Sequence, residues 1–74
     1  MYKYYIYNHN EYIGIFRLPD GVDDDHICEY YTIDRGSEYY LQWHESWWTK
    51  GHLMRDHKEL VKEISEEEAF LEMI

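Results

Sequence analysis

The chain has a single cysteine, Cys28, so no disulfide can cross-link it internally. That is a strong constraint on 74 residues, because a chain this short buries a modest fraction of its surface and often relies on a staple. The cysteine and the five histidines do not fall at structural-zinc spacings either. What remains is dense aromatic packing or self-association. Aromatics make up 19% of the chain, as nine Tyr, three Trp and two Phe. Each buried ring removes on the order of 150–250 Å² from water, so a few can build a core. The length predicts one domain over residues 1–74.

Residues 2–7 set Tyr2, Tyr4 and Ile6 against Lys3, Tyr5 and Tyr7, a strand signal with aromatics on both faces. One face must therefore be wet or covered by a partner. Asn8-His9-Asn10 reads as a turn, and residues 11–17 as a second strand completing a hairpin. Gly14 in mid-strand predicts a bulge or a large ring packed across it. Pro19-Asp20-Gly21 carries turn chemistry and leads into an acidic loop. Residues 27–33 and 38–44 alternate as strands three and four, joined by Asp34-Arg35-Gly36-Ser37 as a second hairpin turn. Residues 45–58 fit no single period and read as a loop with one short helical turn, pinned by tryptophans. Ser65-Glu66-Glu67-Glu68 is a capping box, and residues 60–64 read as a fifth strand entering that helix, with an earlier helical stretch as the alternative. The expected fold is α+β: a small antiparallel sheet of four or five strands, built from two hairpins, with a short C-terminal helix packed on one face.

Net charge is −9, and it is uneven. Residues 18–49 hold eight acids against one base, Arg35, whereas the flanking segments are closer to balance. Such a chain repels nucleic acid and anionic lipid and suits basic protein surfaces or cations. Met1 leads straight into a tyrosine-rich strand without a basic, then leucine-rich, leader, and no apolar run reaches membrane-spanning length. With one free thiol, the expected location is the cytoplasm.

Four constellations deserve weighing. Asp20 to Asp25 with His26 could hold a divalent cation through oxygen ligands, but the alternating acids and terminal glutamate of an EF-hand are missing, and a solvated loop is the simpler reading. His9, His26, His44, His52 and His57 carry no ligand spacing, since His52 and His57 are five apart rather than four. Cys28 in a strand is read as a small buried hydrophobe, and no nucleophile elbow, P-loop or dinucleotide fingerprint is present. No enzyme, metal or cofactor is expected. The fourth is the Tyr/Trp surface, since these residues combine apolar area with a hydrogen-bonding edge and suit interfaces.

The expected function is a protein-binding protein whose partner has a basic surface. In the sharper form its acids imitate nucleic-acid phosphates and inhibit a nucleic-acid-binding enzyme. In size and charge the chain resembles small acidic inhibitors of the anti-restriction and anti-CRISPR kind, of phage or mobile-element origin, a likeness of class that no motif carries further. The partner-binding residues expected are Asp20, Asp23, Asp24, Asp25, Glu29, Asp34, Glu38 and Glu45, with Trp47 and Trp48 as apolar anchors. The alternative is a module that self-associates, or binds a neutral partner, through its tyrosine-rich sheet face or edge.

Overall fold

The computed structural model describes residues 1–9, 12–33 and 35–74. Five strands form one antiparallel sheet: β1 (Tyr2–His9), β2 (Tyr12–Pro19), β3 (Ile27–Tyr31), β4 (Trp43–Thr49) and β5 (Val61–Ile64). Their order is β4-β3-β2-β1-β5, which makes β4 and β5 the edges. A helical turn of π character spans His52–Asp56, and α1 spans Glu66–Met73. The α+β expectation holds, with the fifth strand at residues 61–64 and the short C-terminal helix on one face.

Alternation along β1 sends its tyrosines to two faces. Tyr5 and Tyr7 pack with Phe16, Leu18 and Cys28 beneath Leu53, Met54 and Leu60. Tyr4 packs with Ile15 and Ala69 on the opposite face, flanked by Tyr31, Trp43 and Met73. The middle of β1 is covered on both faces, with Tyr4, Tyr5 and Tyr7 all buried, while Tyr2 at its start is exposed. Residues 50–60 fold back over one face and α1 covers the other, which makes β1 and β2 the middle of three layers. Gly14 stands directly opposite Tyr7 in an unbroken β1–β2 register, without the bulge that was one reading of it.

The helix begins where its capping box predicts. Ser65 Oγ accepts the Glu68 backbone N–H at 3.0 Å, and Glu68 Oε1 accepts the Ser65 N–H at 3.4 Å. Two otherwise unpaired donors are thereby satisfied. Ala69 is fully buried, and its small side chain lets α1 approach Tyr4 and Ile15 closely.

Several boundaries differ from the sequence reading: β1 runs on through Asn8 and His9 of the expected turn, and β2 runs to Pro19 rather than Arg17. β3 stops at Tyr31 rather than Ile33. The strand expected at residues 38–44 is replaced by turns over residues 35–41, with β4 beginning at Trp43. Ser37 causes the change: its hydroxyl accepts the Tyr39 N–H at 3.1 Å and its carbonyl accepts the Tyr40 N–H at 3.2 Å. Those donors are taken locally and are lost to a ladder. Leu41 completes the segment at φ +59°, and its N–H donates to the Thr32 carbonyl at 2.8 Å. The β3–β4 connection is therefore a long loop over residues 32–42 instead of a tight hairpin turn. Residues 45–58, expected to be a loop with one short helical turn, contain that turn, of π character, but also supply most of β4. Of the first predicted turn and the start of the second predicted strand, Asn10 and Glu11 lie outside the described residues, as does Asp34 of the second turn.

Candidate binding surface at the β4 edge

Two consecutive tryptophans end up in opposite environments. Between Ile27 and Glu29 of β3 the ladder advances two residues, while between Thr49 and Glu45 of β4 it advances four. The surplus on β4 is a bulge. Ser46 holds it: its hydroxyl donates to the Cys28 carbonyl at 2.8 Å and accepts the Trp48 N–H at 3.1 Å. The bulge turns Trp47 out to 97% exposure and Trp48 inward. Trp48 is stacked between Phe16, 5.2 Å away at 12°, and His57, 4.3 Å away at 4°. Thr49 Oγ1 then accepts the His52 N–H at 3.1 Å, starting the π turn immediately after the strand.

A cleft of about 820 Å³ opens beside this edge. Tyr30, Tyr39, His44, Glu45, Trp47 and Trp48 are among its lining residues. His44 is fixed at both ring nitrogens. Its Nδ1–H donates to the Glu45 carbonyl at 3.0 Å, and its Nε2 lies 2.7 Å from Thr32 Oγ1. Tyr39 stacks on His44 at 4.7 Å and 25°, while Tyr30 meets the same imidazole edge-on at 5.6 Å. The wall is thus aromatic and held in place by hydrogen bonds to the loop and strand.

The expected acidic residues do not form one group. Glu29 is half-buried and paired with Arg17, whose Nε and Nη2 donate to its two carboxylate oxygens at 3.0 and 3.4 Å. Arg17 in turn lies 4.3 Å from the ring centroid of Tyr2 and 4.2 Å from that of Trp43. Glu45 stands directly opposite Glu29 in the β3–β4 register, is exposed, and has no ion-pair partner among the described residues. Glu38 is exposed on the loop that carries Tyr39.

Asp20, Asp23, Asp24 and Asp25 sit at the other end of the β3–β4 pair, where they shape the loop. Gly21 turns the chain at φ +84°. Asp23 Oδ1 accepts the Asp25 N–H at 3.1 Å in a local turn. The Asp24 carbonyl accepts the Gly51 N–H at 2.9 Å, the His26 carbonyl accepts the Lys50 N–H at 2.8 Å, and Lys50 Nζ donates to the Val22 carbonyl at 2.8 Å. Asp24 and Asp20 also lie 3.9 Å from Arg55 and Lys3, in exposed pairs. Asp34 lies outside the described residues. The structure brings Glu45, Trp47 and Trp48 together on β4, leaves Glu38 on the loop beside Tyr39, and sets the aspartate loop at the other end of the strand.

Other chemistry is limited. Cys28 is fully buried, and burial pushes its thiol up from 9.0 to about 11, which makes it a poor nucleophile. Among the described residues no group of three or more His, Cys, Asp and Glu is placed to hold a metal ion, and no helix is long and apolar enough to cross a membrane. His52 and His57 do meet, Nε2 to Nε2 at 3.1 Å, with His52 Nδ1 2.8 Å from Asp56 Oδ2. Their place is beside Trp48, where His57 stacks on the indole.

Tyr39, His44 and Tyr30 were not among the site residues expected from sequence. The alternation read through residues 38–44 puts Tyr39 and His44 on opposite faces of one strand, whereas the Ser37 turn folds one ring onto the other. Comparison of the chain with protein-family models, with curated proteins and with solved structures finds no match.

Proposed function

We propose that the chain is a binding protein for another protein with a basic surface, and that the β4 edge is its contact. The observation that carries this reading is Trp47, 97% exposed on a strand that is otherwise well anchored. Tryptophan is enriched among residues that dominate binding energy, and here it projects from an unpaired sheet edge rather than a mobile tail. Glu45, two residues before it on the strand, supplies negative charge, and Glu38 adds to it from the loop that carries Tyr39, within a segment whose formal charge is strongly acidic. A free thiol suits a reducing compartment such as the cytoplasm.

The narrower form, in which the acids imitate nucleic-acid phosphates and block an enzyme, draws on the net charge of −9. It draws less on the arrangement, because Glu29 is paired with Arg17 and the aspartate loop lies at the opposite end of β4 from Glu45. A charged partner surface explains the same acids without a phosphate-like row.

The test is affinity capture with the immobilised chain, eluting identified partners in rising salt, with and without competing DNA. A partner that elutes with salt and is lost from a Glu38→Lys, Glu45→Lys variant is the expected result. Displacement by DNA would add the inhibitor reading. A partner insensitive to salt and to charge reversal would overturn the proposal in favour of a neutral aromatic contact.

A further inference from the structure

Two histidines that their linear spacing sets aside are brought together by the π turn. His52 and His57 are five residues apart, and an α-helix would point such a pair in different directions. A π turn closes its hydrogen bonds between residues five apart, which returns them to one side. The turn over His52–Asp56 does this, and the Nε2 atoms of His52 and His57 stand 3.1 Å apart.

That separation suits a shared metal ion. Two imidazoles bound to one ion at about 2.0–2.1 Å hold their nitrogens about 2.9 Å apart at a right angle and about 3.4 Å apart at the tetrahedral angle. The observed 3.1 Å falls between these limits. Nitrogens meeting head-on at this distance would set the ring centroids about 5.4 Å apart, whereas a shared ion would set them about 4.8 Å apart. They are 4.7 Å apart.

His52 is also prepared as a ligand. Its Nδ1 lies 2.8 Å from Asp56 Oδ2, and an Nδ1–H donated to that carboxylate leaves the lone pair on Nε2. Its backbone N–H is fixed by Thr49 Oγ1. His57 lies flat on Trp48 at 4.3 Å, with the Tyr7 ring edge-on at 5.6 Å. Arg55 of the same turn is engaged with the Gly51 carbonyl and Asp24 instead. The His52 side chain is 40% exposed, so an ion and its water can reach the pair.

We infer that His52 and His57 form a two-histidine site for a late first-row divalent cation, of the zinc, nickel or copper class, with Asp56 as the positioning residue behind His52. Imidazole nitrogen suits these ions, whereas magnesium and calcium take oxygen ligands. Water completes the coordination, so the ion is exchangeable. The site stands apart from the β4 edge and does not depend on the charge of a partner.

The experiment uses the whole chain, labelled with nitrogen-15, freed of metal by a chelator and titrated with zinc chloride. Long-range nitrogen–proton spectra read both nitrogens of each imidazole. The expected result is a saturable shift of Nε2 in both His52 and His57 at one zinc per chain, with no such shift in magnesium chloride. His52→Gln should weaken zinc at least about tenfold. Asp56→Asn should weaken it about tenfold and lower the share of His52 that carries its proton on Nδ1. His26→Gln, in the exposed loop, should leave the affinity unchanged. The shift in the parent chain needs no variant, so it decides the matter even if a variant fails to fold. Failure of either Nε2 to shift up to about 1 mM zinc would overturn the inference. So would shifts centred on other histidines, or an affinity unchanged by His52→Gln.

Discussion

The hydroxyl of Ser46 donates to the carbonyl of Cys28 at 2.8 Å across the β3–β4 pair, at the point where the register slips. A bulge leaves backbone groups without ladder partners, and a side chain must supply them if they are half-buried. Ser46 supplies two, since it also accepts the Trp48 N–H. Ser46→Ala keeps the volume nearly constant and removes both bonds. It should cost about 1–3 kcal/mol of stability, read as a lower urea midpoint at unchanged slope. Because the bulge orients Trp47, partner binding should fall by more than the loss of stability explains.

Arg17 joins three residues from three strands: Glu29 at 3.0 Å, and the rings of Tyr2 and Trp43. Arg17→Met keeps much of the apolar stem but leaves Glu29, half-buried, opposite Glu45 with no cation between the strands. Removing one partner of such a pair costs more than the pair contributes. A loss of about 2–3 kcal/mol is expected by chemical denaturation. Arg17→Met combined with Glu29→Gln should recover a large part of it, because the stranded carboxylate is then gone.

Most of the fold is written in local pattern, and the exceptions share a cause. β1, β2, β5 and α1 follow from alternation and from the Ser65 capping box, signals that need only near neighbours along the chain. The fourth strand is displaced from 38–44 to 43–49 because two serines override periodicity. Ser37 captures donors into a turn, and Ser46 sponsors a bulge that breaks the period-two pattern through Trp47 and Trp48. Both are side-chain-to-backbone bonds, and the second depends on a strand eighteen residues away. The candidate site is less legible for the same reason. Acidic residues are visible in a sequence, but the pairing of Arg17 with Glu29 and the folding of Tyr39 onto His44 are consequences of the register.

Leu41 is a leucine in the left-handed backbone region, at φ +59°. Its Cβ crowds the following carbonyl there, at a cost of about 1–2 kcal/mol that glycine escapes. The side chain is about half exposed, so little packing offsets that cost. Leu41→Gly should therefore raise stability by a net of roughly 0.5–1 kcal/mol, after the greater chain entropy of glycine in the unfolded state is subtracted. A thermal midpoint that fell instead would show Leu41 to be held by contacts worth more than its strain.

Alkali should weaken the fold through two groups on one face of the sheet. Burial pushes Cys28 from 9.0 to about 11, and burial, reinforced by the charge of Glu63, also pushes Tyr5 up. In both cases the folded protein keeps the proton that the unfolded chain gives up. The stabilisation is fully present below pH 9 and is lost progressively as pH rises toward 11. Thermal midpoints measured between those limits should decline, and Cys28→Ala should flatten the first part of the decline while leaving the share due to Tyr5. At pH 8 the native thiol should resist iodoacetamide, and in denaturant it should react freely.

Adjacent tryptophans with opposite duties make the sharpest test of the proposed edge. Trp48 is stacked between Phe16 and His57 in the layer that covers β2, so Trp48→Ala opens a hole in the core. It should cost about 3–5 kcal/mol and take binding down with folding. Among the described residues Trp47 touches no other ring, and it is 97% exposed, so Trp47→Ala should leave stability within about 0.5 kcal/mol of the parent. If the β4 edge is the contact, that same change should cost the partner complex about 2 kcal/mol or more, some thirtyfold in Kd, with the fold intact. Calorimetric titration of the folded Trp47→Ala chain against its captured partner separates the two effects. Parent-like affinity would place the contact elsewhere, with the aspartate loop at the far end of the β3–β4 pair as the next surface to reverse in charge.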